Sequence, residues 1–274
     1  MTNIVVSDLS LGYPAHGGAS AFAAVEGVSF EVPDGQALAV LGESGSGKST
    51  LLRYLAGRSK DSADRGTHLR VLSGSASVLG EELSSLRRKS LREFEANVGF
   101  LPQDAGAKLN PDFTVGDLFM QPMVQRFKKF DAEAHAERMT SLLEHVSMPL
   151  DVLEKFPHQL SKGQRQRVAV VQSLALTPKV LILDEPTMGI DPTNRPLVID
   201  LIDRYLAEQR ATMLVISHDI ALLERLVDAA LVMQQGAAVG FGDINEIFGD
   251  PEHVYVQRLA EALRSNAYDE VSDG

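Results

Sequence analysis

The order of apolar and polar positions predicts strands towards both ends of the chain. Three short strand-like runs open it, "NIVVSDLSLGY", "VEGVSFEV" and "QALAVL". Three apolar runs follow residue 178, "KVLILD", "ATMLVISH" and "AALVMQQG", and helix-like stretches at 193–209 and 219–227 separate them. Uninterrupted apolar runs are typical of parallel strands that are buried on both faces. Their alternation with helices predicts an α/β fold.

Strand-like runs are scarce between these parts, so a mainly helical lobe is predicted at about 104–170. Within it, "DAEAHAERMTSLLEHV" has the spacing of a helix. Another helix is predicted to begin in "LSKGQRQRV", with Ser161 as N-cap and Gln164 as its capping-box partner. This helix start, which also contains Gly163, is a candidate anion site, because free N–H groups and the positive end of the dipole point outward.

Composition narrows the function classes. The chain has 274 residues, of which 44% are apolar and 23% charged, as expected for a globular domain with an added lobe. The net charge of −11 argues against nucleic-acid binding, which needs a cationic face. The absence of cysteine excludes disulfides and cysteine-held metal centres. No run has the roughly 18 apolar residues of a membrane span, and no signal peptide is visible, so we expect a cytoplasmic chain.

One glycine-rich stretch has the spacing of a phosphate-binding loop (P-loop). It reads Gly42-x4-Gly47-Lys48-Ser49, between a strand-like run and a helix that Gly57 is placed to end. In such loops backbone N–H groups wrap the phosphates, the lysine reaches the outer phosphates and the serine hydroxyl holds Mg²⁺. The alternative is a merely flexible glycine turn. The predicted nucleotide-binding residues here are Gly42, Glu43, Ser44, Gly45, Ser46, Gly47, Lys48, Ser49 and Thr50, and Lys48 is also a candidate catalytic residue.

Polar side chains follow three other predicted strands. Ligands of open α/β sheets bind beyond the carboxyl ends of the strands, so these side chains are expected to converge on the P-loop. Asp184 is placed to hold Mg²⁺, as Walker-B aspartates do, and Glu185 to polarise the attacking water; the alternative is a solvated acidic turn. His218 is placed to contact the γ-phosphate and to orient Glu185. Gln103 is placed to ligate Mg²⁺ or its water, although alone it is only a strand-end polar residue.

Together and in this order, the motifs resemble those of the ATP-binding-cassette (ABC) ATPases. The motifs are "GESGSGKST" (42–50), Gln103, "LSKGQ" (160–164), "VLILDEP" (180–186), "GID" (189–191) and His218. The resemblance implies a P-loop NTPase (RecA-like) core with an antiparallel β subdomain and a helical subdomain. It places the ATPase domain at 1–264, with the helical subdomain at about 104–170 and an acidic, disordered tail at 265–274.

The resemblance also implies further site residues and a paired assembly. In the family, two cassettes meet head to tail, and the signature helix of each contacts the γ-phosphate that the other's P-loop holds. Ser161, Gly163 and Gln164 match that signature. Tyr13 matches the aromatic residue that stacks on adenine, the alternative being ordinary strand packing. Asp191 matches the loop that crosses the dimer seam, and a helix N-cap is an alternative compatible with that role.

A narrower resemblance is to the oligopeptide, dipeptide and nickel importer ATPases, on "PQDAGAKLNPDFTVGD", "FPHQLSKGQRQRVAV" and "IFGDPEHVYVQRL". It implies ATP and Mg²⁺ as cofactors and a second ATPase subunit, the same or different, as partner. It also implies two membrane permease subunits, a solute-binding protein, and a location on the inner face of the cell membrane. Lys162 departs from the usual glycine, and it either blocks close backbone approach to the partner's γ-phosphate or adds attraction.

Three functions are therefore compared. The leading hypothesis is an ATPase subunit that energises the uptake of peptides or a related small solute. The second is an accessory ATPase of a soluble complex, as in the carbon–phosphorus-lyase-associated relatives of this branch. The third is a nucleotide-gated clamp that uses ATP only to dimerise, which the presence of both Glu185 and His218 disfavours.

Overall fold

The computed structural model describes residues 2–14, 22–59, 68–249, 253–259 and 261. The predicted tail at 265–274 lies outside these residues, so the boundaries of the ATPase domain remain predictions. The strands of the described part are β1 (Thr2–Tyr13), β2 (Phe22–Pro33), β3 (Ala37–Gly42), β4 (Arg70–Val78), β5 (Glu81–Glu82), β6 (Val98–Leu101), β7 (Val180–Asp184), β8 (Thr212–Ile216), β9 (Ala229–Gln234) and β10 (Ala237–Asp243).

Helices connect most of these strands. They are α1 (Lys48–Leu55), α2 (Arg88–Asn97), α3 (Val115–Arg126), α4 (Ala132–His145), α5 (Lys162–Ser173), α6 (Arg195–Gln209), α7 (Ile220–Leu226) and α8 (Ile244–Gly249). In the part of the chain that the structure describes, none of the helices is long and apolar enough to cross a lipid bilayer.

The central sheet has six strands in the order β10-β9-β3-β8-β7-β6. Its pairs are parallel, except that β10 runs antiparallel to β9. The apolar runs predicted to be parallel and doubly buried are β7, β8 and β9. Every residue of β3, β7 and β8 is buried, which explains why these strands lack polar alternation.

A second sheet is antiparallel, in the order β2-β1-β4-β5. Its apolar face shares a core with one face of the central sheet, where Ile4 and Phe30 belong to the same buried cluster as Leu38 and Leu214. The helices α5 and α6 cover the other face through a separate buried cluster that includes Val168 and Ile202. This packing leaves the carboxyl ends of the parallel strands uncovered by either layer.

The stretch 104–170, all of which is described, contains helices and turns and no strand. Thr114 and Asp117 form a capping box at the start of α3, and Asp131 caps α4 by accepting from the Ala134 N–H. The stretch ends within α5, so this helix joins the helical lobe to the central sheet. The predicted α/β fold, with an antiparallel β part and a helical part, is confirmed.

Candidate functional site

The P-loop joins the end of β3 to the start of α1 and packs too tightly for side chains at two of its glycines. A Cβ added to Gly47, which has φ 97°, would lie 2.2 Å from the carbonyl oxygen of Ala24. A Cβ added to Gly42 would lie 2.1 Å from the carbonyl oxygen of Met233. Both positions therefore require glycine for contact as well as for conformation. A Cβ at Gly45 would meet nothing within 4 Å, so that part of the loop faces open space.

Lys48 folds its ammonium group back over the loop. Its Nζ donates to the carbonyl oxygens of Gly42 at 2.7 Å and of Glu43 at 2.6 Å. Burial lowers the pKa of Lys48, while the negative charges of Asp184, Glu185 and Glu43 oppose that shift. The result is a positive charge held at the mouth of the loop, with its donors turned to groups that an anion can replace.

Asp184 ends β7 and is 4% exposed. Burial raises its pKa, and a hydrogen bond with the Ser49 side chain acts in the opposite direction. This bond brings a carboxylate and a hydroxyl oxygen together, the donor types that Mg²⁺ prefers. The residues present therefore fit the magnesium ion that the P-loop motif predicts.

Glu185 holds an unusual backbone conformation, with φ 54°. Its N–H donates to the Ile216 carbonyl at 2.8 Å, and its carbonyl accepts from the Met188 N–H at 3.2 Å and the Gln166 side chain at 3.3 Å. A left-handed conformation in a residue other than glycine is strained and persists only where neighbours fix it.

The Glu185 side chain is 14% exposed. Burial raises its pKa to about 7, and the charge of Asp184 adds to this rise. A hydrogen bond from the His218 backbone and the charge of Lys48 act in the opposite direction. A carboxyl group with a pKa near neutrality is suited to general-base chemistry.

His218 follows β8, and its Nε2 lies 3.5 Å from Oε1 of Glu185. Although 67% of its side-chain surface is exposed, partial burial of the ring and the charge of Lys48 lower its pKa. The imidazole is therefore favoured in its neutral form near pH 7, in which one ring nitrogen donates and the other accepts.

These groups surround one cavity of about 290 Å³. Tyr13 and Gln103 also line it, and the Tyr13 hydroxyl lies 3.4 Å from Oγ1 of Thr50. Tyr13 packs against the core of the antiparallel sheet as well, so the cavity role and the packing role coexist. The lining residues are Tyr13, Ala24, Ser44, Gly45, Gly47, Lys48, Ser49, Thr50, Gln103, Asp184, Glu185, Ile216 and His218.

The signature residues are not part of this cavity's lining among the described residues. The predicted capping box is present: the Ser161 N–H donates to Oε1 of Gln164 at 2.9 Å, and the Gln164 N–H donates to Oγ of Ser161 at 3.1 Å. Ser161 is exposed, and Gly163 is half-buried. The helix start is thus formed within the chain but separate from the chain's own P-loop cavity.

Asp191 also lies outside the lining of the cavity. It is exposed, and hydrogen bonds from the side chains of Thr193 and Asn194 lower its pKa. Asn194, not Asp191, is the N-cap of α6, but Oδ1 of Asp191 accepts from the Asn194 N–H at 3.2 Å. Asp191 therefore stabilises the turn before the helix, and a role at a dimer seam remains a prediction.

Lys162, the departure in the signature, lies over Gly189. A Cβ added to Gly189 would come within 2.8 Å of Cε and 3.2 Å of Cδ of Lys162. The lysine stem therefore occupies the volume that a side chain at 189 would fill. The lysine that departs from the usual glycine is thus in contact with Gly189, the first residue of the "GID" motif, which the sequence alone does not show.

Sequence reasoning missed three residues that the structure adds to the site. Ala24 and Ile216 line the cavity, and Gln166 binds the backbone beside Glu185. Ala24 and Ile216 lie in strands and had no motif to mark them. Gln166 is buried in α5, but it lies between two arginines in the sequence, so the apolar pattern gave no signal that it would be buried.

Comparisons with known proteins agree with this geometry. The family model described as "ABC transporter" matches residues 25–188, more than half of the chain. A shorter match, at 156–224, is to a model described as an AAA domain. The oligopeptide transport ATP-binding protein OppF of Lactococcus lactis is 30% identical over 95% of this chain and 80% of its own. The di/tripeptide transport ATP-binding protein DppF of Pseudomonas aeruginosa is 32% identical over 87% and 71%.

Solved structures show the same fold. One is cbiO1 from Clostridium perfringens, part of the ABC transporter complex cbiONQ, with a TM-score of 0.71 and 25% identity over 96% of this chain and 99% of its own. Another is a dimeric ATP-binding cassette in a post-hydrolysis state bound to ADP and Pi, with a TM-score of 0.76 and 21% identity over 88% and 98%.

The chain belongs to the ABC transporter family. Within that family it is an ATP-binding cassette, an ATPase similar to the ATP-binding proteins of oligopeptide and dipeptide transport. The predicted family and branch are confirmed.

Replacing Glu185 with Gln is expected to stabilise the nucleotide-free protein at pH 8. Burial raises the pKa of this carboxyl from 4.5 to about 7. Its ionisation therefore begins to lower the free energy of unfolding above pH 4.5, and the full cost is reached above pH 7. Below pH 4.5 the carboxyl is protonated in both states and the cost disappears. Glutamine removes the charge at every pH. The gain in the free energy of unfolding is expected to reach at most about 3 kcal/mol at pH 8. Denaturant melts of both proteins at pH 5 and pH 8 measure it; an equal difference at both pH values would contradict the burial of this charge.

Replacing Gly189 with Ala tests the contact with Lys162. The positive φ of Gly189 penalises alanine in any background, by about 1 kcal/mol. The clash with the lysine stem adds a penalty only while Lys162 is present. A double-mutant cycle with Lys162→Gly, measured by denaturant melts, is expected to give a coupling energy of only about 0.5 kcal/mol, because the atoms in contact are the far end of a flexible side chain. Additive effects would show that the two side chains do not interact.

Proposed function

We propose that this chain hydrolyses Mg²⁺–ATP in the cavity at the ends of β3, β7 and β8, and that hydrolysis drives uptake of peptides or related small solutes. The observation that carries the proposal is the convergence of Lys48, Asp184, Glu185 and His218 on one cavity. A cation, a pair of buried carboxyls and an imidazole beside a glycine loop suit phosphoryl chemistry, in which positioning and charge stabilisation provide most of the catalysis.

The P-loop binds the phosphates in this proposal. Its backbone N–H groups, from Gly45 onwards, would surround the phosphate oxygens, with the Ser46 N–H exchanging the Glu43 carbonyl, to which it donates at 3.2 Å, for a phosphate. Lys48 exchanges the carbonyls of Gly42 and Glu43 for the outer phosphates, because a charged acceptor forms the stronger hydrogen bond. Tyr13, at the rim beside Thr50, provides a face for the adenine ring.

Ser49, Asp184 and Gln103 would hold Mg²⁺, which neutralises charge on the phosphate oxygens when it is bound. Ser49 and Asp184 already share a hydrogen bond, so these two ligands are brought together before the ion binds. Gln103 lines the same cavity, and its backbone carbonyl accepts from the Lys108 ammonium at 2.6 Å. The ion's ligands therefore come from three different segments of the core.

Glu185 accepts a proton from the attacking water, and His218 positions it. The carboxyl is largely buried and receives a hydrogen bond from the His218 backbone, so only a limited set of orientations is open to it. The imidazole lies 3.5 Å from Oε1 of Glu185, and in this proposal it also contacts the γ-phosphate. Loss of a general base typically lowers turnover by about 10²- to 10⁴-fold.

The proposed partners follow from the parts of the site that this cavity lacks. The Ser161 helix start is preformed, exposed and outside the chain's own cavity. A second cassette, the same or different, would bind this helix start against the γ-phosphate that the second cassette holds in its own P-loop. The N–H groups at the positive end of this helix would donate hydrogen bonds to that γ-phosphate. Closure would then depend on the γ-phosphate, and hydrolysis would release it.

Transport and location are the finer parts of the proposal. The relatives named for oligopeptide and di/tripeptide transport support a peptide or related small solute rather than a soluble enzyme complex. Two membrane permease subunits and a solute-binding protein would complete the assembly, with this chain on the inner face of the membrane.

Replacing Glu185 with Gln is expected to lower the ATP turnover number by at least about 100-fold while ATP binding is retained. Replacing Lys48 with Ala is expected to weaken ATP binding itself, because the buried cation is lost. Phosphate release measures turnover, and equilibrium binding of a fluorescent ATP analogue measures affinity.

Glu208→Gln is the matched control, because Glu208 is an exposed carboxylate on α6 whose partner is Arg204. It should leave both quantities unchanged. The proposal fails if the purified complex neither binds Mg²⁺–ATP nor loses turnover on Glu185→Gln.

Affinity purification of the chain from detergent-solubilised membranes separates transport from the alternative. Multi-span membrane subunits are expected to co-purify with it, together with a second cassette if the pair is mixed. Recovery of soluble enzymes in their place would favour the accessory ATPase.

A further inference from the structure

Gln166 is a buried polar residue that the proposed mechanism does not use. Its side chain is 3% exposed and lies on α5, where residues 166–171 are all buried. A buried amide that lacks hydrogen-bond partners destabilises a fold by about 1–3 kcal/mol, so its partners explain its presence. All the partners that the structure gives it are backbone groups.

Those partners lie in two segments of the nucleotide site. Nε2 of Gln166 donates to the carbonyl oxygens of Glu185 at 3.3 Å and of Pro186 at 3.2 Å. Oε1 accepts from the N–H of Gly106 at 3.2 Å. Gly106 belongs to the 3₁₀ turn Ala105–Lys108, which begins two residues after Gln103. The Gln166 side chain therefore joins α5, which is the signature helix, to the turn after β7 and to the segment that follows Gln103.

The contact with Gly106 is close as well as polar. A Cβ added to Gly106 would lie 2.8 Å from the backbone nitrogen of Gln166 and 2.9 Å from the carbonyl carbon of Arg165. The turn therefore rests directly on the backbone of α5. A shift of the helix by a few tenths of an ångström has to move this turn or break the hydrogen bond.

The hydrogen bond from Gln166 to Glu185 helps to hold the strained backbone of Glu185. With φ 54°, the residue is held by hydrogen bonds at both of its peptide groups: its N–H to Ile216, and its carbonyl from Met188 and Gln166. Such a conformation costs about 1–3 kcal/mol and persists only where the surroundings over-determine it. Gln166 supplies the one of these bonds that comes from the signature helix.

We infer that Gln166 is a positioning residue for Glu185: it holds the backbone of the water-polarising carboxylate in register with the signature helix and the segment after Gln103. This rests on the proposed function, since it takes Glu185 as the general base. The inference assigns Gln166 no contact with nucleotide. Its loss leaves the P-loop intact and displaces the carboxylate.

Gln166→Met tests this with a side chain of similar length that has no amide. The turnover number is expected to fall about tenfold, the factor for losing hydrogen bonds to a buried group, while KM for ATP stays within about twofold. In the nucleotide-free protein, hydrogen exchange at the Met188 amide, which donates to Glu185, is expected to accelerate. That readout does not depend on turnover.

Gln172→Met is the matched control. Gln172 lies on the same helix, and its Nε2 donates to the backbone carbonyl of Leu118 in α3 at 3.1 Å. This bond does not involve the segment that contains Glu185. Gln172→Met should reduce thermal stability less than Gln166→Met, since Gln172 is partly buried and makes one side-chain hydrogen bond, and it should leave turnover and Met188 exchange at wild-type values. An equal loss of turnover in Gln172→Met would contradict the inference, because the effect would then be one of general destabilisation.

Gln166→Asn, which keeps the amide on a shorter stem, serves if the methionine variant does not fold. It is expected to show the same changes in smaller measure. Wild-type turnover and Met188 exchange in a folded Gln166 variant would overturn the inference, and so would a failure of both variants to fold, which would make the position purely structural. If the wild type has no turnover, or Glu185→Gln keeps it, the proposed function fails instead.

Discussion

The parallel pairing of β3, β8 and β7 is the constraint on which the nucleotide site depends. Leu38 and Leu183 sit in register with neighbouring residues of β8, Leu214 and Val215 respectively, and Asp184 pairs with Ile216. Because these strands run in the same direction, the residues after each of them emerge at one edge. The edge gathers two carboxyls and an imidazole with a cation, Lys48, that lies more than a hundred residues before them in the chain. Packing against a different core on each face fixes this register, since a slip would exchange side chains between the two cores and disturb the close packing of both.

The site stores unfavourable groups that the rest of the fold has to stabilise. Lys48 and Asp184 are buried, the Glu185 carboxyl has a pKa of about 7 because of burial, and the Glu185 backbone is left-handed. Each feature opposes folding and suits catalysis, a combination expected at active sites. Compensation comes from two large apolar cores and from hydrogen bonds such as that of Gln166, whose amide reaches from the signature helix to the strained turn.

Much of this site was predictable from the sequence, and the exceptions have physical reasons. Lys48, Asp184, Glu185 and His218 were found because fixed spacing and apolar runs mark strand ends. The capping box also marked the start of α5, but it does not say what a buried side chain further along the helix contacts. Gln166 and the contact of Lys162 with Gly189 therefore needed coordinates. Asp191 remains a prediction because the residues that it would meet belong to a different chain.

The central claim is that this chain carries one nucleotide cavity and, apart from it, the helix tip that completes a neighbour's cavity. Sedimentation of the Glu185→Gln variant with Mg²⁺–ATP tests it most directly, since ATP persists when hydrolysis is blocked. The account predicts that two cassettes sediment together with Mg²⁺–ATP and separate with Mg²⁺–ADP, either as two copies or with a second cassette from its membrane complex. A variant saturated with Mg²⁺–ATP that stays single, alone and beside the proteins that co-purify with it, would contradict the account.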